Sequence, residues 1–150
     1  MPAFAIGRLL RKRWGASLRL PLLLGIVLTV SALAFIGAGC RPYKKGEALY
    51  KTHCANCHMP DGTGLEGNIP PLAGSDYFLA NPVATACNIR YGLQDTIRVN
   101  GRVYAQPMAA IPQLGELEIT NIINYIGHSW GNRAPYLSLG KVKKALEECN

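Results

Sequence analysis

The chain has 150 residues, 17% of them charged, and a formal net charge of +7. Five of its 16 basic residues, Arg8, Arg11, Lys12, Arg13 and Arg19, precede residue 40 with no acid among them, which leaves 11 basic against 9 acidic residues, or +2, from Cys40 onward. So small a balance removes the support for nucleic-acid binding, and the length allows one small domain with flanking segments rather than two domains.

Residues 20–39, LPLLLGIVLTVSALAFIGAG, carry no charge and follow the basic cluster. The predicted segment 1–39 is a signal peptide or a membrane anchor, since its apolar run fits either a long leader or a spanning helix of roughly 20 residues. Residues 35–40, FIGAGC, resemble the lipobox of bacterial lipoproteins, with Cys40 as the lipidation site; Gly37 departs from it, standing where such boxes carry an aliphatic residue. Both readings hold the basic end in the cytoplasm and place the rest of the chain on the periplasmic side of a bacterial membrane. That compartment is oxidising and permits disulfides. Residues 40–44 are read as a tether.

Residues 44–54 predict a first helix, with Ala48 and Leu49 as good formers. Residues 59–75 hold Pro60, Gly62, Gly64, Gly67, Pro70, Pro71 and Gly74, which predicts a long irregular loop of the kind that wraps a ligand. Ser75 can cap a short turn through Ala80, and Asn81 with Pro82 predicts the start of a middle helix that Gly92 ends. Residues 101–112 read as a second loop, with Pro107 and Pro112 bracketing Met108. Apolar residues at 119, 122, 123, 126 and 130 predict a helix over 116–130, favoured by Glu116 and Glu118 in its first turn and stopped by Gly131. A linker and a charged helical tail complete the chain, with no convincing strand.

The chemistry lies in Cys54-Ala55-Asn56-Cys57-His58. Structural zinc asks for a second ligand pair, and Cys87 and Cys149 stand alone. A thioredoxin-like dithiol asks for a preceding strand and a βαβ surround. Covalent haem asks for two thiols at this spacing and an imidazole beside the second to reach the iron. His58 is then the proximal ligand. Met59 is adjacent to it and cannot cross the ring, which leaves Met108, whose backbone Pro107 helps fix. Met108 as a core gap-filler is the plainer alternative. His53, expected in solvent, and His128, on a helix, are rivals.

These motifs, with Asp61-Gly62-Thr63-Gly64, Pro70-Pro71-Leu72-Ala73-Gly74, Val99-Asn100-Gly101, Gln106-Pro107-Met108, Asn124-Tyr125-Ile126 and Trp130-Gly131-Asn132, make residues 45–132 resemble a class I cytochrome c. The resemblance implies an all-α fold of three or more helices wrapped around one covalently bound haem c, with His58 and Met108 as axial ligands. It implies that the first and last helices cross where Gly46 and Tyr50 meet Tyr125, and that Pro71, or next Pro70, accepts the His58 ring N–H. Arg90, Tyr91, Asn100, Arg102 and Tyr104 are candidates for the haem propionates or the pocket rim. With Cys40 assigned to lipid and Cys54 and Cys57 to haem, Cys87 and Cys149 remain as a pair that could bridge the middle helix and the 133–150 tail.

The expected function is one-electron transfer by a membrane-tethered monohaem carrier between redox proteins of a respiratory chain, with no small-molecule substrate and no catalytic residues. A haem subunit of a larger oxidase or dehydrogenase complex keeps the chemistry and changes the partner. A peroxidase or sensor with an open coordination site is a different class, distinguished by whether Met108 binds the iron.

Overall fold

The computed structural model describes residues 42–149 and, before them, Pro21, residues 24–26 and Leu28. The chain divides between Arg41 and Pro42. The five described residues of the first part are helical. The lipobox, Cys40 and most of the apolar run lie outside the described residues, among which no helix is long and apolar enough to cross a membrane.

In the second part, α1 (Lys44–His53) runs into the short α2 (Ala55–His58), and the 59–75 loop follows without a strand, pinched by a Leu65–Ile69 bridge and by Leu72 N and Ala73 N, which both donate to Gly62 O. Next come α3 (Asp76–Ala80), α4 (Thr85–Tyr91), a hairpin of β1 (Ile97–Val99) and β2 (Arg102–Tyr104), α5 (Glu116–Gly127) and α6 (Leu139–Glu148). Tyr50, Phe78, Ile89, Leu114, Ile119, Ile122, Ile126, Val142 and Leu146 belong to one buried cluster, so α1, α3, α4, α5 and α6 share a core. Leu93 and Met108 exchange backbone hydrogen bonds of 3.0 and 2.8 Å, which ties the end of α4 to the second loop.

The hairpin corrects the all-α expectation. Ile97 pairs with Tyr104 and Val99 with Arg102, and the turn between them is Asn100-Gly101, with φ of 48° and 80°. Two positive φ values in succession are what a type I′ turn demands, and Asn-Gly meets that demand at low cost. The β-branched Ile97, Val99 and Val103 suit the strands.

Two helix bounds also move. The turn at Ser75 forms as expected, with Ser75 Oγ accepting from Phe78 N at 3.2 Å. Asn81 Oδ1 accepts from Ala84 N at 3.3 Å, but residues 82–84 are a turn and α4 starts at Thr85. α5 ends at Gly127 rather than at Trp130, because side chains take its last carbonyls: Ser129 Oγ donates to Tyr125 O at 2.6 Å and His128 Nδ1 bonds Asn124 O at 2.8 Å. Trp130 and Gly131 then turn away with φ of 52° and 84°.

Cys87 of α4 and Cys149 after α6 form a disulfide across a sequence separation of 62. Asn124 anchors the linker that precedes α6, donating to Leu137 O at 2.8 Å and accepting from Leu137 N at 2.9 Å. A bridge across so long a loop restricts the unfolded chain, and removing a native one costs a small domain several kcal/mol. Replacing both cysteines by serine should lower the unfolding free energy by about 2–3 kcal/mol, read as a fall in denaturation midpoint with a raised m-value, because the unbridged unfolded chain exposes more surface.

Candidate functional site

α1 delivers the cysteine motif to the core. Cys54 N donates to Tyr50 O at 2.8 Å, closing α1, and the one-turn α2 carries Cys57 and His58. Cys54 is buried and Cys57 exposed, and neither is in a disulfide. Burial, with a smaller contribution from the neighbouring Cys57, pushes the Cys54 thiol up to about 11. The motif ends at Met59, a non-glycine residue at φ 62°, whose carbonyl accepts a 2.7 Å hydrogen bond from Tyr50 Oη. Tyr50 is fully buried and touches Tyr125 and Trp130, with ring centroids 5.4 and 5.1 Å apart. The polar end of one core tyrosine thus fixes the turn after His58.

The His58 ring is held by its Nδ1, 3.1 Å from Pro70 O. This corrects the expectation that Pro71 is the acceptor. The carbonyl that faces the ring belongs to Pro70 because Gly64 packs beneath it: a Cβ on Gly64 would lie 2.7 Å from Pro70 O, and its φ is +68°. With a carbonyl as partner, Nδ1 carries the proton and Nε2 is left with its lone pair, which is the ligand form. Burial lowers the pKa of His58 from its ordinary value, opposed by the Pro70 bond, and so favours that neutral form.

Cys54, Cys57, His58 and Met108 all line one cavity of about 350 Å³, walled mainly by apolar residues such as Leu72, Phe78, Ile89 and Ile126. Pro70 and Pro71 line it too, whereas Met59 does not. Among the described residues no three His, Cys, Asp or Glu side chains converge to hold a metal ion, so the zinc reading has no donor set. The residues fit a haem instead: two unbridged thiols, an imidazole with a free nitrogen and a thioether border one apolar space of ligand-binding size.

Of the five candidates for the pocket rim, only Tyr104 lines the cavity. Arg90 donates to Pro112 O at 3.0 Å, Tyr91 Oη to Leu146 O at 3.5 Å, Arg102 pairs with Glu66, and Asn100 Oδ1 accepts from Asp76 N at 3.1 Å. Further polar lining comes from Ser75, Tyr77, Thr85, Asn88, Asp95 and Gln106, and His53, expected in solvent, lines the cavity as well. His128 stacks on Tyr43 with centroids 4.6 Å apart and is not part of the lining. A helical count from Cys57 would have put His53 one turn back along the α1–α2 direction, which is the one signal that pointed to it.

The loop that carries Pro70 is stapled to the end of α5 by Asn132. Its Oδ1 accepts from Gly74 N at 2.8 Å, and its Nδ2 donates to Leu72 O at 2.9 Å and Ile126 O at 2.8 Å. Asn132→Ala strands three backbone groups where water enters poorly, and should cost about 2 kcal/mol, measured by chemical denaturation. Asn132→Asp, which keeps the acceptor but sets a carboxylate oxygen against the Leu72 and Ile126 carbonyls, should cost at least as much.

The cytochrome c family profile matches residues 43–130. Over 111 residues the chain is 32% identical to a cytochrome c-552 of Thermus thermophilus, spanning 69% of this chain and 72% of that protein. A second cytochrome c-552 from the same species is 35% identical over 94 residues, 58% of this chain and 69% of the relative. The cytochrome c subunit of the quinone alcohol dehydrogenase of Gluconobacter oxydans is 34% identical over 94 residues, which are 60% of this chain but 19% of that subunit. With the two thiols, the imidazole and the thioether gathered at one apolar cavity, the match means that this chain belongs to the cytochrome c family, as a class I electron-transfer protein with one covalently bound haem c.

Proposed function

We propose that the chain is a membrane-tethered one-electron carrier on the periplasmic side of a bacterial membrane, with haem c bonded through Cys54 and Cys57 and ligated by His58 and Met108. The observation that carries it is the convergence of those four side chains on one cavity. When bound, the haem iron takes up and gives up one electron. The chain's own residues do the rest. The Pro70 carbonyl fixes the His58 ring and raises its basicity, the apolar wall excludes water, and the Leu93–Met108 bonds hold the thioether segment in place. A thioether opposite an imidazole raises the potential.

The tether is a lipid on Cys40 or an uncleaved N-terminal helix. The lipid reading draws on the 35–40 motif and on the stable anchoring that two or more acyl chains give at about 0.8 kcal/mol per buried methylene. The partners are redox proteins of a respiratory chain. A second reading, the haem subunit of a larger dehydrogenase complex, is favoured by the similarity to a quinone alcohol dehydrogenase subunit.

Redox titration of the purified holoprotein should follow a single one-electron curve with low-spin spectra in both oxidation states. A high-spin ferric spectrum would defeat the carrier reading in favour of a peroxidase or sensor. In producing cells the full chain should partition with membranes, and loss of that partition in Cys40→Ser would identify the lipid. Co-purification with other subunits after detergent extraction would favour the fixed-subunit reading over the free carrier.

A further inference from the structure

The family match ends at residue 130, yet the chain continues into a helix that is covalently bonded back to the domain. We propose that α6 and the Cys87–Cys149 disulfide form a brace that keeps Met108 on the iron, so that both cysteines are positioning residues for the axial ligand. The inference rests on Met108 being that ligand.

The contacts run in one direction. α6 packs on α4, where Val142 and Leu146 share the buried cluster with Ala86 and Ile89, and Tyr91 Oη reaches Leu146 O. The disulfide joins the middle of α4 to the end of α6. From α4 the next links go to the Met108 segment. Leu93 and Met108 exchange both their backbone hydrogen bonds, Ile111 N donates to Ile89 O at 2.8 Å, and the Arg90 guanidinium donates to Pro112 O. Gly92 allows the approach: it has φ +80°, and a Cβ there would lie 2.6 Å from Met108 O.

Met108 is therefore strapped to a helix of seven residues, too short to hold its own position. α4 is fixed from the other side by α6, and α6 by the disulfide and by the Asn124–Leu137 pair of hydrogen bonds. Loosening the disulfide frees α4 to move, and with it the strap that aims the thioether. His58 is held independently of the disulfide, since its partner Pro70 is fixed by Gly64 and by the Asn132 staple.

The test is displacement of Met108 by imidazole in the ferric holoprotein, followed in the Soret band. Imidazole binds only when the thioether is off the iron, so its apparent affinity scales with the population of that open state. The Cys87→Ser/Cys149→Ser variant should bind imidazole about fivefold more tightly, the factor that corresponds to weakening the strap by one net hydrogen bond. In a Met108→Ala background the same pair of substitutions should leave imidazole affinity unchanged, since no ligand remains to be displaced. Hydrogen exchange gives a readout that does not involve the iron: the Leu93 and Met108 amides should exchange faster, with the β1–β2 amides unaffected. Where the serine pair does not accumulate, Cys87→Ala/Cys149→Ala removes the bridge without a polar group in its half-buried site.

A lower denaturation midpoint with wild-type imidazole affinity and wild-type exchange at Leu93 and Met108 would overturn the brace and leave the disulfide as a stabiliser of the fold. If Met108→Ala itself keeps the wild-type ferric spectrum, the assignment of Met108 fails, and the brace fails with it.

Discussion

Met108→Ala should turn the ferric holoprotein from low-spin to high-spin and lower its midpoint potential by on the order of 0.1 V or more, within the roughly 0.8 V over which axial ligands set haem potentials. For one electron, 0.1 V is about 2.3 kcal/mol, the differential preference of a thioether for reduced over oxidised iron. As the proposed ligand, Met108 would contribute this through its side chain alone. Its backbone is held by Leu93, so truncation leaves the strap intact and the fold in place. Met108→His separates the two consequences: a second imidazole should keep the iron low-spin while the potential still falls, because the soft sulfur is gone. If Met108→Ala stays low-spin, another side chain in the cavity has taken the sixth position. His53 lines the cavity and has the chemistry, so the double variant with His53→Ala decides it.

His53 marks where a sequence stops being readable. The motif at Cys54, Cys57 and His58 could be read outright, because the chemistry of attachment fixes both residue types and spacing. That Met108 and not Met59 lines the cavity could be reached by elimination among three methionines, and the Cys87–Cys149 bridge by sorting five cysteines. α5 was legible from its apolar stripe, but its last turn was not: Trp130 keeps the periodicity while Ser129 and His128 bond the carbonyls that would have continued it. The hairpin was legible in principle from Asn100-Gly101 between β-branched residues, a signal overshadowed by the long loops around it. The pocket rim was not legible at all. Arg90, Arg102 and Asn100 are the residue types that meet carboxylates, yet they bond Pro112, Glu66 and Asp76, partners between 22 and 36 residues away in sequence.

The choice between Pro70 and Pro71 has the same character. Adjacent carbonyls on an extended loop point to different sides, and the sequence offers two of them, twelve and thirteen residues after His58. What selects Pro70 is the close approach of Gly64 on one side and the bond to the ring on the other. Local propensity is silent on such long-range contacts, and family resemblance names the neighbourhood without the atom.

Gly46 is a long-range contact of this kind with the largest stability effect. α1 and α5 pack against each other where Gly46 faces Asn121 and Tyr125; a Cβ on Gly46 would run into the Asn121 carbonyl and lie 2.6 Å from the Tyr125 Cβ. Neither obstacle is the end of a flexible side chain, so the helices must separate. Overpacking with a compliant neighbour costs about 1–3 kcal/mol; against backbone and a Cβ, Gly46→Val should cost more than about 3 kcal/mol, or at least about 12 °C in Tm for a domain of this size. Gly140→Ala is the matched control. It lies in α6 with nothing within 4 Å of an added Cβ, and the change should be neutral or stabilising by up to about 1 kcal/mol through helix propensity. The damage at Gly46 should also reach the site, because α1 ends on Cys54 and carries Tyr50, whose hydroxyl holds Met59. Residual folded Gly46→Val protein should therefore show weakened His58 geometry as well as a lower Tm, seen as a broadened ferric spectrum. If it shows the lower Tm with a wild-type spectrum, the crossing stabilises the fold without positioning the ligand, and the Tyr50–Met59 bond alone sets the turn after His58.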